Sequence, residues 1–205
     1  MTGIVTAYTM GAPVGWQVWE LGQGEELADL AASKAADGPE AQARVREAVL
    51  GLEAACAGLK SVVVGGLWFP DRSTGLSTAV ARLELLTTAD GSEAQYDTYL
   101  ATAQAYRAQR GVKVFDRAVA PVTIDAGPAF VEITVLAERR GGLFSRSAEP
   151  VPVETHVQYS IFPPGSSNVL QLALVTTQSD LLDALGEAGR AMAASLTLTV
   201  EPGPR

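Results

Sequence analysis

"LALVTTQSDLLDALGEAGRAMAASLTL", residues 172–198, decides the predicted fold because the spacing of its apolar side chains changes twice. Its apolar start completes a predicted strand over residues 169–176. Apolar residues then recur every three or four positions and form one face of a helix: Leu181, Leu182, Leu185, Ala188 and Met192. Alternation returns in residues 195–200, so the stretch predicts a helix that covers a sheet and leads the chain back into that sheet.

Two features refine the prediction for this helix. Thr177 and Asp180 have the spacing of a capping box, which predicts the start of the helix. Gly186 and Gly189 have no side chain, so we expect both to let the helix lie close to the sheet beneath it.

The rest of the chain predicts further strands and helices from the same two spacings. The other predicted strands cover residues 15–21, 61–69, 76–86, 112–120, 129–138, 153–162 and 195–200. Helices are predicted over 25–36, over 39–60, and from an N-cap at Ser92 to a stop at Gly111. The first has a predicted apolar stripe of Leu27, Leu30 and Ala31, and the second one of Val45, Val49, Leu52, Cys56 and Leu59. Strands mostly follow strands, so the predicted fold class is α+β, a mainly antiparallel sheet covered by helices in an α/β/α sandwich. We expect a single globular domain over residues 1–205, with a short tail at 201–205.

Composition narrows the classes of partner. The formal net charge is −8, which repels nucleic-acid backbones, so no nucleic-acid partner is predicted. No stretch has the length of apolar sequence that a spanning helix needs, and we expect no membrane insertion and a cytoplasmic location. Lysines are few beside arginines in a chain rich in Ala, Gly and Val, which indicates the GC-rich genome of a bacterium.

Both ends of the chain resemble a known group of proteins. The start, "APVGWQVWEL", contains Pro13, Gly15 and Trp16, and the last predicted helix leads into the pair Ser195 and Leu196. With the strand and helix order between them, these motifs resemble the Mog1/PsbP-like proteins. The resemblance implies a central antiparallel sheet between helices, and a protein that acts by binding other proteins rather than by catalysis. The second predicted helix is additional to that layout.

Candidate chemical sites are few, and no cofactor, metal or catalytic residue is predicted. One histidine and one cysteine cannot supply a zinc ligand set, and Cys56 lies on an apolar helix face that predicts burial. His156 is interpreted either as a surface residue of a half-exposed strand or as a general base oriented by Glu154. The glycine pair Gly65 and Gly66 lacks the rest of a phosphate-binding loop and predicts a bulge or a close contact with a helix.

The one basic concentration in the sequence is the predicted loop "ERRGGLFSRSAEP". Apolar side chains stand among its arginines, a combination that is typical of protein interfaces. The candidate protein-interface residues are Arg139, Arg140, Leu143, Phe144 and Arg146. Tryptophans and the tyrosines of the helix after Ser92 are expected to serve the core, with a ligand pocket as the alternative.

Three functional hypotheses follow from the sequence. The leading one is a soluble, non-enzymatic protein-binding or accessory domain whose partner is a protein of unknown identity. The alternative is a small-molecule-binding protein or a hydrolase-like enzyme, with a pocket between sheet and helices and His156, Glu154 and a serine or tyrosine as its polar groups. The third is a homo-oligomer that associates through a sheet edge or through its acidic helix pair.

Overall fold

The computed structural model describes residues 2–108, 111–138 and 152–203, and fourteen elements follow one another along them. Its strands are β1 Gly3–Thr9, β2 Trp16–Glu20, β3 Val62–Trp68, β4 Ala79–Thr87, β5 Val112–Ile124, β6 Gly127–Glu138, β7 Val153–Ile161, β8 Asn168–Thr176 and β9 Thr197–Pro202. Its helices are α1 Gly24–Ala35, α2 Pro39–Cys56, α3 Tyr96–Gln104 and α4 Leu182–Ala194, and a 3₁₀ turn at Ser179–Leu181 precedes α4.

Seven strands form the main sheet in the order β2-β3-β4-β8-β7-β6-β5, and each pairs with its neighbours in antiparallel orientation. The predicted α+β class with a mainly antiparallel sheet is confirmed. Because alternate residues of a strand point to opposite faces, this sheet has two faces that helices can cover.

The last strand does not return to the main sheet, so that prediction is wrong. β9 pairs with β1, a strand that the sequence analysis missed, and the two form a separate two-stranded sheet. β9 also extends further than predicted, because Glu201 lies opposite Ile4 and Pro202 opposite Gly3. The predicted tail at 201–205 therefore starts two residues too early.

One face of the main sheet is covered by α4, as predicted. Leu185 and Met192 of α4 are fully buried in a core that also contains β1 and the inner faces of β4, β7 and β8. A Cβ atom on Gly189 would lie 3.0 Å from the ring of Tyr159, which confirms the close approach of helix and sheet there. Gly186 has open space beside it, so the same prediction is wrong for Gly186.

The predicted capping box of α4 is also wrong. No side chain caps the helix or the 3₁₀ turn before it. Thr176, one residue before the predicted cap, uses its hydroxyl in the loop instead: it accepts a hydrogen bond from the backbone N–H of Gln178 and donates one to the carbonyl of Thr78. The chain is thus fixed to β4 just before α4 begins.

The opposite face is covered at one end by α1 and α2. The predicted apolar stripe of α1 is corrected, since Leu30 is 48% exposed and the buried positions are alanines: Ala28, Ala31, Ala32 and Ala35. Small side chains let the two helices pack closely against each other. α2 buries Val45, Val49 and Cys56 as predicted, but it ends at Cys56, and this leaves Leu59 beyond it 45% exposed.

Of the glycine pair of β3, Gly65 lies against a helix, whereas Gly66 lies against Val18 and Ala81 of the neighbouring strands. A Cβ atom on Gly65 would lie 3.2 Å from Leu52 of α2, so the predicted close contact with a helix is confirmed. Glu53 of α2 fixes the same region, because its carboxylate accepts hydrogen bonds from Trp19 Nε1 and from the backbone N–H groups of Gly22 and Gly24.

α3 covers the other end of this face. The predicted N-cap at Ser92 is wrong, because Ser92 bonds to Asp90 in a turn and the residue that precedes the helix is Gln95. α3 buries none of its residues fully. A small apolar cluster of Phe130, Phe162 and Val169 on the sheet holds it in place.

The hairpin that joins β5 to β6 is tighter than predicted. β5 continues to Ile124, so only Asp125 and Ala126 form the turn where the sequence analysis expected a break over residues 121–128. As a result β5 and β6 are long strands, and their polar side chains extend along the sheet beneath α3.

Candidate functional site

Polar side chains occupy the sheet face between the two groups of helices. Strand register places them beside one another: His156 lies opposite Thr134, Gln158 opposite Glu132, and Ser160 between Phe130 and Gln171. Residues directly opposite on neighbouring strands have their side chains on the same face. β6, β7 and β8 therefore present neighbouring polar side chains on this face, with Phe130 among them, in contrast to the apolar face that packs against α4.

A cavity of about 440 Å³ lies between α3 and this polar surface. The cavity exists because α3 contacts the sheet mainly through one edge, where Tyr96 packs its ring against Phe162 at a centroid distance of 5.5 Å. Its lining comprises Thr98, Tyr99, Thr102, Ala103, Tyr106, Arg117, Phe130, Glu132, Gln158, Ser160 and Gln171.

Arg117 of β5 joins the C-terminal end of α3 to the sheet. Its Nε donates to Glu132 Oε1 at 2.8 Å, and its Nη2 donates to the carbonyl of Ala103 at 2.5 Å. The guanidinium also lies 4.9 Å from the centre of the Tyr106 ring. Both charged side chains are mostly buried, with 15% and 24% exposed, so the pair is shielded from bulk water. Thr134 adds a hydrogen bond from its hydroxyl to Glu132 Oε1 at 3.1 Å.

Three polar side chains of the cavity wall have no protein partner. Within the described part of the chain, the side chains of Gln158, Ser160 and Gln171 form no hydrogen bond. Ser160 is only 2% exposed, and its hydroxyl lines the cavity. Polar groups that line a cavity and bond to no protein group are available to whatever occupies the cavity.

His156 and Glu154 form the pair that the sequence analysis weighed. Nε2 of His156 lies 2.9 Å from Oε2 of Glu154, and the histidine side chain is 34% exposed, so it is partly buried rather than on the open surface. His156 lines a smaller cavity of about 100 Å³ that shares Tyr106, Glu132 and Gln158 with the larger one.

A hydrolase-like arrangement requires a nucleophile within hydrogen-bond distance of the histidine. Ser160 is four residues from His156 along β7, roughly 13 Å away at the rise of an extended strand. Thr134 lies directly opposite His156, but its hydroxyl donates to Glu132. Among the described residues, His156 is therefore hydrogen-bonded to Glu154 and to no serine, threonine or cysteine, while Tyr106 lines the same small cavity.

Other candidate residues lie in the core or elsewhere. Cys56 is buried, as predicted, and burial raises the pKa of its thiol, which disfavours the reactive thiolate. Trp16 stacks on Trp68 at a centroid distance of 6.0 Å, and Trp16 and Trp19 belong to the core. Across the described ranges, no three histidine, cysteine or acidic side chains come together as a metal site.

The tyrosines after Ser92 divide between two roles. Tyr96 packs against the apolar cluster of the sheet, as predicted for core residues. Tyr99 also packs its ring against Phe162, at a centroid distance of 5.2 Å, while its 37% exposed side chain lines the cavity. Tyr106 lines the cavity and is 43% exposed, so the expectation of core packing is wrong for Tyr106.

The predicted protein-interface loop is the remaining candidate site. Arg139, Arg140, Leu143, Phe144 and Arg146 lie outside the described residues, and the interface stays a prediction. Among the described helices, none combines the length and the apolar composition that crossing a bilayer requires.

Comparison with known proteins gives structural neighbours only. No family model and no curated protein matches the chain. It is similar to the crystal structure of LpqN, involved in cell envelope biogenesis of Mycobacterium tuberculosis, with 13% identity and a TM-score of 0.48 over 94% of this chain and 83% of that one. It is also similar to the solution structure of cyanobacterial PsbP (CyanoP) from Synechocystis, with 10% identity and a TM-score of 0.45 over 94% and 86% of the two chains.

A third neighbour is a crystal structure from Bacteroides thetaiotaomicron, with 8% identity and a TM-score of 0.41 over 97% of this chain and 48% of that one. One of these neighbours is a PsbP, the kind of protein named in the predicted resemblance, and with TM-scores below 0.5 the resemblance stays a prediction. Identities this low carry no information about a ligand, a partner or an activity.

Proposed function

We propose that this chain is a non-enzymatic protein that binds a small ligand in the cavity between α3 and the sheet. The observation that carries the proposal is the hydroxyl of Ser160, which lines the cavity beside the amides of Gln158 and Gln171, all three without a hydrogen bond in the described part of the chain. A hydrogen bond contributes about 0.5–1.5 kcal/mol net, so a ligand that bonds to these groups gains affinity from them.

The size and composition of the cavity suit this role. At about 440 Å³ it falls within the range of small-molecule sites, which are about 300–1,000 Å³. Such sites combine aromatic and apolar walls with a few polar groups that fix orientation. Here Tyr99 and Phe130 supply the aromatic surface, and the polar groups stand together on the central strands.

Binding is favoured over catalysis by the chemistry of the wall. Arg117 and Glu132 are occupied by each other, and within the described residues His156 is hydrogen-bonded to Glu154 and to no hydroxyl or thiol. The remaining groups are amides and hydroxyls, which bind well and transfer protons poorly at neutral pH.

A pair of variants on α3 tests the proposal. Thr102 is exposed and lines the cavity, so Thr102→Trp fills the cavity without entering the core. Ala101→Trp is the matched control, because Ala101 is exposed on the same helix and does not line the cavity. Ligand-observed NMR with a set of small aromatic fragments gives the readout. We expect fragments that bind the unaltered protein and Ala101→Trp but not Thr102→Trp; equal binding to all three, or no binding to the unaltered protein, would contradict the proposal.

The protein-binding hypothesis remains a second candidate. Its support is the sheet topology. The pairing of β6 with β7 extends as far as Ala137 and Val153, so residues 139–151 connect two adjacent strands, as predicted for the interface loop. A chain with the three changes Arg139→Ala, Arg140→Ala and Phe144→Ala tests it in an affinity pull-down from the source cells. We expect a partner that is captured by the unaltered chain and lost by the folded triple variant, and equal capture by both would place any interface elsewhere.

The cytoplasmic location and self-association also stay proposals, the second to be checked by light scattering.

A further inference from the structure

The cavity between α3 and the sheet carries no net formal charge in its described lining. One lining residue is cationic, Arg117, and one is anionic, Glu132, and they bind each other at 2.8 Å with both side chains mostly buried. A charged ligand would have to leave water without meeting an unpaired charge of opposite sign, and this costs several kcal/mol per ion. The cavity therefore favours uncharged ligands over anions and cations of the same size.

Hydrogen-bonding groups on the cavity floor are clustered rather than scattered. Ser160 lies directly opposite Gln171, and Gln158 is the next residue of β7 on the same face. A glutamine amide offers a donor and an acceptor side by side, and its closest complement is another carboxamide, which returns both hydrogen bonds at once. Two such amides around a hydroxyl form a donor and acceptor surface without charge.

An aromatic wall stands beside that floor. Phe130 lies directly opposite Ser160 in the sheet, on the side away from Gln171, and Tyr99 of α3 lines the same cavity. Aromatic rings pack well against the flat face of another ring. The polar and aromatic surfaces are neighbours, so one small molecule can contact both.

From these three observations we infer that the cavity takes an uncharged ligand in which an aromatic ring or similar flat apolar group lies next to a carboxamide-like group. This inference rests on the proposed function, because it specifies the ligand class of the same site. Gln158, Ser160 and Gln171 bind the carboxamide-like group, while the pairing of Arg117 with Glu132 excludes charged relatives of the ligand.

Three probes that share one ring and differ in head group test the inference: phenylacetamide, phenylacetate and phenethylammonium. Their affinities are measured by NMR titration at neutral pH. We expect the unaltered protein to bind phenylacetamide at least about tenfold more tightly than either ion, since an unpaired buried charge is costly. Tighter binding of either ion would overturn the inference while leaving a ligand site in place.

Two charge variants make the test independent of absolute affinity. Glu132→Gln leaves Arg117 unpaired, so we expect the preference to move toward phenylacetate. Arg117→Gln leaves Glu132 unpaired, so we expect the preference to move toward phenethylammonium. An unchanged order of affinities in both variants would show that the pair does not govern charge selection, which contradicts the inference.

One more variant separates this inference from the proposed function and from misfolding. Gln158→Ala keeps both charges, and we expect it to weaken phenylacetamide binding without creating a preference for either ion. Circular dichroism confirms that each variant is folded. Failure of all three probes to bind the unaltered protein would overturn this inference, whereas failure of the whole fragment set, or equal binding to Thr102→Trp, would overturn the proposed function itself.

Discussion

Arg117 is expected to hold the C-terminal end of α3 on the sheet, and Arg117→Met tests this by removing its charge while keeping most of its length. In the native protein the guanidinium bonds to Glu132 and to the carbonyl of Ala103, and it lies over the ring of Tyr106. The change also leaves Glu132 as a mostly buried carboxylate without its ion partner.

The magnitude follows from these contacts. A hydrogen bond to a charged partner contributes about 1.5–3 kcal/mol, and a cation–π contact adds about 0.5–1 kcal/mol. With both partners less than a quarter exposed, we expect Arg117→Met to lower the free energy of unfolding by about 2–3 kcal/mol. We expect Glu132→Met to cost about 2 kcal/mol. The double variant should lose about 3 kcal/mol rather than the sum, because the two residues share one interaction.

Urea unfolding of the four proteins, followed by circular dichroism, measures the coupling. Arg46→Met is the matched control, because Arg46 forms an ion pair with Asp29 at 2.9 Å with side chains that are 48% and 83% exposed. An exposed pair contributes less than about 1 kcal/mol. The reasoning would be refuted if Arg117→Met cost no more than Arg46→Met, or if the losses of the two single variants simply added.

Three further predictions concern packing and titration. Gly189→Val should lower the free energy of unfolding by about 1–3 kcal/mol, because even a Cβ would lie 3.0 Å from a sheet tyrosine. Gly186→Val has open space beside it and should be close to neutral in the same urea experiment. Burial raises the pKa of Cys56, so the folded state holds the thiol proton more tightly than the unfolded state. The resulting contribution to the free energy of unfolding should be complete below about pH 8.5 and fall as the pH rises beyond it. Cys56→Val should flatten that fall. Hydrogen bonds from Ser73 lower the pKa of the Asp71 carboxyl, and in an NMR titration Ser73→Ala should raise that pKa toward its ordinary value; an unchanged pKa would contradict the assignment.

Much of the fold could be predicted because it depends on local patterns. The apolar face of α4 and the alternation of β7 and β8 are periodic over enough residues to identify each element. β1, Gly3–Thr9, was missed although its Ile, Val, Thr and Tyr side chains favour a strand, and its partner β9 lies at the other end of the chain. Leu30 was misplaced because the packing of α1 against α2 selects small alanines over the larger side chain.

The cavity could not be predicted because it depends on strand register. Arg117 and Glu132 are fifteen positions apart, and Ser160 and Gln171 are eleven positions apart, yet each pair meets across neighbouring strands. In the sequence, such polar residues at alternate positions are typical of a solvent-facing sheet surface. Only the position of α3, which rests on one apolar edge, turns that surface into the wall of a cavity.

The contact between His156 and Glu154 could be predicted from the sequence, but its surroundings could not. Their spacing of two residues in a strand places both side chains on one face, and the structure brings Nε2 and Oε2 to 2.9 Å. Their neighbours in space, Thr134 and Glu132, come from β6 and could not be deduced from the local sequence. Sequence reasoning thus found the pair but not the polar surface to which it belongs.

The measurement that tests the central claim most directly is a proton–nitrogen NMR spectrum of the side-chain amides of Gln158 and Gln171 during addition of phenylacetamide. These two groups line the cavity and have no hydrogen-bond partner in the described part of the chain, so they report on its occupant. We predict that both resonances shift and reach saturation, and that Thr102→Trp abolishes the shifts while Ala101→Trp does not. Resonances that stay fixed while other parts of the spectrum move would place binding elsewhere and contradict the account.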